Sequence, residues 1–286
     1  MSGAVGAGPP VALTVAGSDS ASGAGIQADL KAMSALGVFA ATAVTVVTAQ
    51  NTAEVREVLP VPPARVDAQI AAVLDDLAVA AVKTGMLGSA GVVDVVVRRA
   101  ADGQLPRLVV DPVLVASDGR RVIDDAGLDA YLRLLPHALL TTPNLGEAAL
   151  LAGMERDGLT DVSAMAEAAR RIHALGPAWV LVTGGGLPGV GWPGTAAAPA
   201  QVADVLFDGR QVSVLDAPRV DTVNTHGTGC SLSAAVVARL ARGADLPTAV
   251  DEAKAFVHRA LRGGSSWRLG RGHGPLDPFG WSGPTA

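Results

Sequence analysis

Val11-Ala12-Leu13-Thr14-Val15-Ala16 is a mostly apolar run that stops at Gly17; Gly23 and Gly25 follow, and then Ile26, Leu30, Met33 and Leu36 recur at helical spacing. Strand, glycine loop and helix, in that order, is the opening unit of an α/β fold. The chain repeats it. Val38–Ala49 is β-branched and apolar along its length, as expected for a strand covered on both faces. Shorter buried runs follow at 78–82, 108–110, 138–140 and 179–182, with helical patterns between them over 64–76, 90–100, 124–134 and 162–174. Strands alternating with helices predict a mostly parallel central sheet with helices on both faces. The stretch Gly184–Ala200 breaks this rhythm; it is rich in Gly, Pro and Ala and uncharged, and reads as a loop that orders over a bound ligand. Val202–Phe207 and Gln211–Val214 flank Asp208-Gly209, a hairpin signal, and helices over 230–242 and 247–262 close the pattern with a C-terminal helical region.

Length and composition narrow the options. The 286 residues are 49% hydrophobic and 17% charged, with net charge -5, which fits one α/β domain over 11–280 behind a disordered 1–10. Neither a disordered chain nor a nucleic-acid binder has this balance. Cys230 is the only cysteine, so an intrachain disulfide framework and a cysteine-built zinc site are excluded. No basic leader precedes an apolar segment, and no run of about 18 apolar residues occurs, so a cytoplasmic protein without membrane contact is expected.

Chemistry concentrates in Asn224-Thr225-His226-Gly227-Thr228-Gly229-Cys230-Ser231, which leads into the apolar helix Leu232–Leu240. Glycines at a helix start free backbone N–H groups to converge, and the helix dipole adds partial positive charge there. Such a nest suits a phosphoryl group in transfer; a glycine turn with Thr228 or Ser231 as a plain N-cap satisfies the same spacing.

This segment resembles the hydroxymethylpyrimidine/phosphomethylpyrimidine kinases of the ribokinase-like superfamily. So do Val15-Ala16-Gly17-Ser18-Asp19-Ser20, Gly23–Lys31, Ala49-Gln50-Asn51-Thr52, Lys83-Thr84-Gly85-Met86-Leu87, Asp111-Pro112-Val113, Thr142–Ala148 and Thr183–Gly186. The motifs stand in family order from about Val11 to Phe279. The resemblance implies a ribokinase-like three-layer sandwich, ATP and Mg2+ at the C-terminal ends of the strands, and phosphorylation of a small aminopyrimidine in thiamine biosynthesis. It also implies a homodimer.

Residue by residue, the resemblance implies an anion hole at Gly227, Thr228 and Gly229, with Cys230 where related sugar kinases carry an aspartate base. A thiol at a helix start is expected to be more acidic than usual; outside this context a lone cysteine reads as a small buried side chain. Gln50 and Asp29 are implied to hold the pyrimidine, with Gly17, Ala24 and Met86 lining its pocket. An amide pairs naturally with a ring nitrogen beside an exocyclic amine. Without the resemblance Asp29 is an exposed first-turn acid, Gln50 a strand-end residue and Met86 core packing. Asn144 and Glu147 are implied to organise magnesium through water, so no residue is assigned as a direct metal ligand; the same pair reads as a capping box. Thr183, Gly185 and Lys83 are implied to face the nucleotide.

Two departures stand out. Ala21-Ser22 replaces a common Ser-Gly, and Ser117 replaces a lysine expected near the phosphates. A pyridoxal kinase shares the fold, the glycine motif and sometimes the cysteine, and is the nearest rival. A dinucleotide-binding oxidoreductase needs a Gly-x-Gly-x-x-Gly after the first strand, and a P-loop ATPase a Gly-x-x-x-x-Gly-Lys-Ser/Thr; neither occurs. A non-catalytic nucleotide-binding regulator is disfavoured by the intact glycine nest and Cys230.

Overall fold

A computed structural model describes residues 8–115, 121–185 and 201–283. The expected loop 184–200, apart from Gly184 and Gly185, lies outside these residues, as do Ser117 and most of the expected disordered N-terminus. Among the described residues the frame is an eight-stranded sheet. Its strands are β1 (Val11–Ala16), β2 (Phe39–Val44), β5 (Val79–Thr84), β6 (Val109–Val110), β7 (Leu140–Thr141), β8 (Trp179–Val182), β9 (Gln201–Phe207) and β10 (Val212–Pro218). They run in the order β10-β9-β8-β7-β6-β5-β1-β2, parallel from β2 to β8, with β9 and β10 an antiparallel hairpin on the far edge.

Side-chain alternation along each strand divides the core into two. On one face Ala12, Ala81, Val109 and Leu140 pack under α1 (Gly25–Ala35), α7 (Thr228–Ala241) and α8 (Leu246–Gly264). On the other, Leu13, Val15, Val82 and Val110 pack under α2 (Pro63–Asp76), α3 (Ala90–Ala101), α4 (Asp125–Leu134), α5 (Leu145–Ala152) and α6 (Val162–His173). The helix α7 is buried almost all round, because its Ala- and Val-rich surface lies between the sheet and its helical neighbours. It therefore holds its N-terminus in a fixed place.

The single strand expected over Val38–Ala49 is two strands. At Thr45 the chain leaves the large sheet: the Thr45 amide still donates to Ala16 O (3.0 Å), while its Oγ1 donates to Met86 O (2.6 Å). Beyond it, β3 (Val46–Gln50) pairs antiparallel with β4 (Val55–Pro60) as a separate two-stranded flap. A continuous apolar run carries no mark of a change of sheet. Strand β3 ends at Gln50, whose backbone is tied to Ser20 in the loop beyond β1.

Candidate active site

At the C-terminal edge of the parallel strands lies a groove of about 870 Å³ whose walls include Gln50, Asp111, Glu147, His226 and Cys230. A second groove of about 620 Å³ adjoins it and shares Asn144, Thr183 and Thr228 with it. The N-terminus of α7 stands where they meet. Gly227 caps α7 with φ +85°, a left-handed conformation that favours glycine, and a Cβ there would overlap the Gly23 carbonyl oxygen. The Thr228 amide bonds to Thr225 O and that of Ser231 to Gly227 O. Between them the amides of Gly229 and Cys230 have no acceptor within the helix, so they are the first-turn donors available to an anion.

Beneath this nest lies a buried ionic chain. Lys83 Nζ sits 2.8 and 3.0 Å from the two Asp29 oxygens and 3.7 Å from Asp111 Oδ2. Thr14 Oγ1 donates to Asp29 (2.6 Å) and Ser233 Oγ to Asp111 (2.9 Å). Asp29 and Lys83 are both 0% exposed, which corrects two expectations: Asp29 does not reach a substrate, and Lys83 does not face the nucleotide. Helical spacing placed Asp29 on α1 correctly but not on its inward face. Burial raises the Asp29 carboxyl above its usual range although Lys83 opposes it, and burial likewise raises Asp111.

Cys230 is half-buried at the wall of the groove, with its sulfur towards the Gly25 amide. Its expected acidity is also corrected. Burial pushes the thiol up to about 12; Lys83 pulls it down, but Asp111 and Asp29 push it back up. Desolvation of a thiolate and two nearby carboxylates outweigh one ammonium and the helix terminus.

Asn144 and Glu147 form the reciprocal capping box of α5: Asn144 Oδ1 accepts from the amides of Gly146 (2.9 Å) and Glu147 (3.1 Å), and Glu147 Oε2 accepts from the Asn144 amide (2.9 Å). Glu147 is nearly fully buried, and that burial, with the Asp111 charge, raises its carboxyl to about 8. Thr142 Oγ1, buried on the same wall, has no hydrogen-bond partner. Two carboxylates, an amide and an unpartnered hydroxyl make an all-oxygen donor set suited to a hydrated Mg2+. Thr183 bridges to Asn144 in parallel register, so both face the two grooves, and Gly185 lines the second. There Asp204 ties the β8 end to α8, accepting from the Gly184 amide (2.9 Å) and from Lys254 Nζ (2.6 Å).

On the opposite wall, Ala24 and Gln50 line the larger groove. Gly17 is buried next to the half-buried Met86; a Cβ on Gly17 would come 2.7 Å from Met86 Cε. The sequence reading assigned no role to two residues here. Asp19 is 2% exposed and its oxygens accept the amides of Ala21 (2.8 Å), Gly23 (3.0 Å) and Ala24 (2.9 Å), shaping the glycine loop. Its Oδ2 also lies 2.8 Å from Nε2 of His226. Against the burial that raises it, the His226 hydrogen bond and the Ala24 and Ala21 amides hold the Asp19 carboxyl below its usual range. Both residues lie inside the segments Val15–Ser20 and Asn224–Ser231, and an acid followed by a Gly-Ala-Gly turn is the available signal for Asp19.

The family model for phosphomethylpyrimidine kinase matches residues 19–277. The chain belongs to that family. A hydroxymethylpyrimidine/phosphomethylpyrimidine kinase of Streptomyces coelicolor is 45% identical over 275 residues, 96% of either chain. The thiamine biosynthetic bifunctional enzyme TH1, chloroplastic, of Arabidopsis thaliana is 44% identical over 273 residues, 94% of this chain and 50% of that protein. Among solved structures, the ADP complex of Bacillus subtilis pyridoxal kinase superposes with a TM-score of 0.82 at 38% identity, over 94% of this chain and 97% of the other. The fold is the ribokinase-like sandwich that the motifs implied, and as a kinase of this family the chain uses ATP and a small-molecule acceptor. Among the described residues no helix is long and apolar enough to cross a membrane.

Proposed function

We propose that the chain transfers the γ-phosphoryl group of ATP to the hydroxymethyl oxygen of 4-amino-5-hydroxymethyl-2-methylpyrimidine, or to the phosphate of its monophosphate, in thiamine biosynthesis. The observation that carries this reading is that the glycine nest, Cys230 and the Gln50 amide open onto one groove beside a second groove of nucleotide size. In the transfer, the acceptor oxygen forms its bond to the γ-phosphorus as the bond to the β-bridging oxygen breaks, and ADP leaves. The amides of Gly229 and Cys230, with the α7 dipole, face the charge on the transferring group, where fixed donors have their largest effect. The Cys230 sulfur, in its thiolate form, is the group within the nest that takes the hydroxyl proton. Gly17, Ala24 and Met86 shape the ring pocket, Thr183 and Gly185 adjoin the nucleotide, and Lys83 and Asp29 hold the floor.

Mg2+ fits beside Glu147, Asn144, Asp111 and Thr142, held through water, where it would neutralise phosphate charge. We further propose one cytoplasmic kinase domain over 11–280 that acts as a homodimer, without nucleic-acid or membrane partners.

A coupled ATP assay with the hydroxymethylpyrimidine, its monophosphate and pyridoxal tests the reading; turnover of pyridoxal alone would overturn it. A side activity on pyridoxal is the second reading, favoured by the 38% identity to a pyridoxal kinase. Gln50→Leu is expected to raise the aminopyrimidine KM roughly tenfold or more, because an unpaired polar group in a dry pocket costs about 1–3 kcal/mol. The KM for ATP should stay within about twofold, since Gln50 does not line the second groove. An unchanged pyrimidine KM removes Gln50 from the site.

Cation dependence should follow Glu147. With its carboxyl raised to about 8, the group is mostly protonated at neutral pH and must ionise to face a cation. The Mg2+ concentration for half-maximal rate is therefore expected to fall as pH rises from 7 to 9, and Glu147→Gln to flatten that dependence. Parallel profiles in the two proteins would remove Glu147 from the cation site.

A further inference from the structure

His226 Nε2 is 2.8 Å from Asp19 Oδ2 and 3.4 Å from Gln50 Nε2. The Asp19 carboxylate accepts three backbone amides besides and is 2% exposed, an environment that keeps it ionised and acceptor-only. The His226 nitrogen facing it must therefore carry the proton. That same N–H is the one Gln50 meets. An amide NH2 set against an N–H is a donor facing a donor, whereas a half-turn of the amide puts Oε1 there and gives the His226 N–H a second acceptor.

We infer that His226, fixed by Asp19, is the positioning residue that sets which end of the Gln50 amide faces the substrate, and so selects an aminopyrimidine edge. This rests on the aminopyrimidine reading above. With Oε1 anchored on His226, the Nε2 hydrogens point away from it, and the second lone pair of Oε1 stays available. That order of donor and acceptor complements a ring nitrogen beside an exocyclic amine. A glutamine free to turn would serve either order, and would accept a pyridine carrying a hydroxyl and an aldehyde as readily.

The surroundings keep the arrangement stiff. Gln50 is held at its backbone, where its N–H donates to Ser20 Oγ (2.8 Å) and its carbonyl accepts from Ser20 Oγ (2.7 Å). The His226 ring lies against Gly23, where a Cβ would overlap its Cδ2, and the His226 amide donates to Gly274 O (3.1 Å). Both partners are thus placed by backbone, and only the Gln50 amide retains a rotation for the His226 N–H to decide.

The test compares His226→Phe and His226→Leu, which remove the N–H, with His226→Gln, which keeps one. Each is assayed for KM and kcat with the hydroxymethylpyrimidine and with pyridoxal, alone and combined with Gln50→Leu. The preference for the pyrimidine is expected to fall about tenfold in the first two and to recover largely in His226→Gln, the scale on which one buried hydrogen bond discriminates substrates. In the Gln50→Leu background the same changes should move the pyrimidine KM by less than about twofold, since His226 acts through that amide. An unchanged preference, additive effects, or a KM for ATP that rises with the pyrimidine KM would each overturn the inference. A wild-type enzyme that turns over pyridoxal and not the pyrimidine would instead overturn the reading on which it rests.

Discussion

Lys83→Met is expected to destabilise the protein by about 3–5 kcal/mol, the usual cost of removing one member of a buried ion pair and leaving its partner uncompensated. Methionine matches the lysine stem in volume, so little of the loss comes from packing. What remains is Asp29 at 0% and Asp111 at 6% exposure with no cation between them. The loss depends on pH. Both carboxyls already titrate above their usual range in the folded protein, and without Lys83 they move further up. A folded acid with a raised pKa costs nothing below its unfolded value, near 4, and costs more as pH rises from there through the folded value. Lys83 itself contributes no such slope, because its raised pKa keeps the ammonium charged throughout the neutral range. The difference in melting temperature between wild type and variant should therefore be wider at pH 8 than at pH 5. Equal differences at both would show that the two carboxylates are not what the lysine compensates.

That ionic chain also marks where the sequence stopped being informative. Lys83 and Asp29 both stand in motifs that point at the site, yet nothing in a linear pattern tells a ligand-facing charge from one buried a layer below it. The distinction arises from strand alternation at the end of β5 and from the inward face of α1, elements 54 residues apart that meet only in the fold. The layers themselves were legible, because buried parallel strands and amphipathic helices have different periods. The flap was half legible. Strand β4 is exposed along its whole length and carries Arg56 and Glu57 among its apolar residues, so no hydrophobic alternation announces it. Ser22 shows a different kind of legibility: its φ of +61° is the conformation glycine favours, which accounts for the Ser-Gly that the family often carries there. The glycine nest was readable as a nest, while the weak acidity of Cys230 was not, since it depends on burial in the fold and on the charges of Lys83, Asp111 and Asp29, brought in from the end of β5, the end of β6 and α1.

Cys230→Ala is expected to lower kcat, and the high pKa of the thiol determines how. Alanine keeps the backbone of Gly227–Cys230 and so keeps the nest; only the sulfur is lost. General-base catalysis commonly supplies roughly 10²–10⁴ in rate. With the thiol pushed up to about 12, the thiolate is scarce at pH 7, which places the loss at the lower end of that range there. If the thiolate is the base, its population grows about tenfold per pH unit below the pKa. Wild-type kcat should then climb between pH 7 and 9 while the alanine variant stays flat, so that the gap between them widens. The KM for ATP should be nearly equal in the two proteins, because the nucleotide contacts proposed above are backbone amides and the second groove, both intact. Iodoacetamide should inactivate the free enzyme slowly at pH 7 and faster as pH rises, in step with the same ionisation. A variant with wild-type kcat across this range, or a gap that does not change with pH, would assign the step to the backbone nest alone and leave Cys230 as a small side chain at the start of α7.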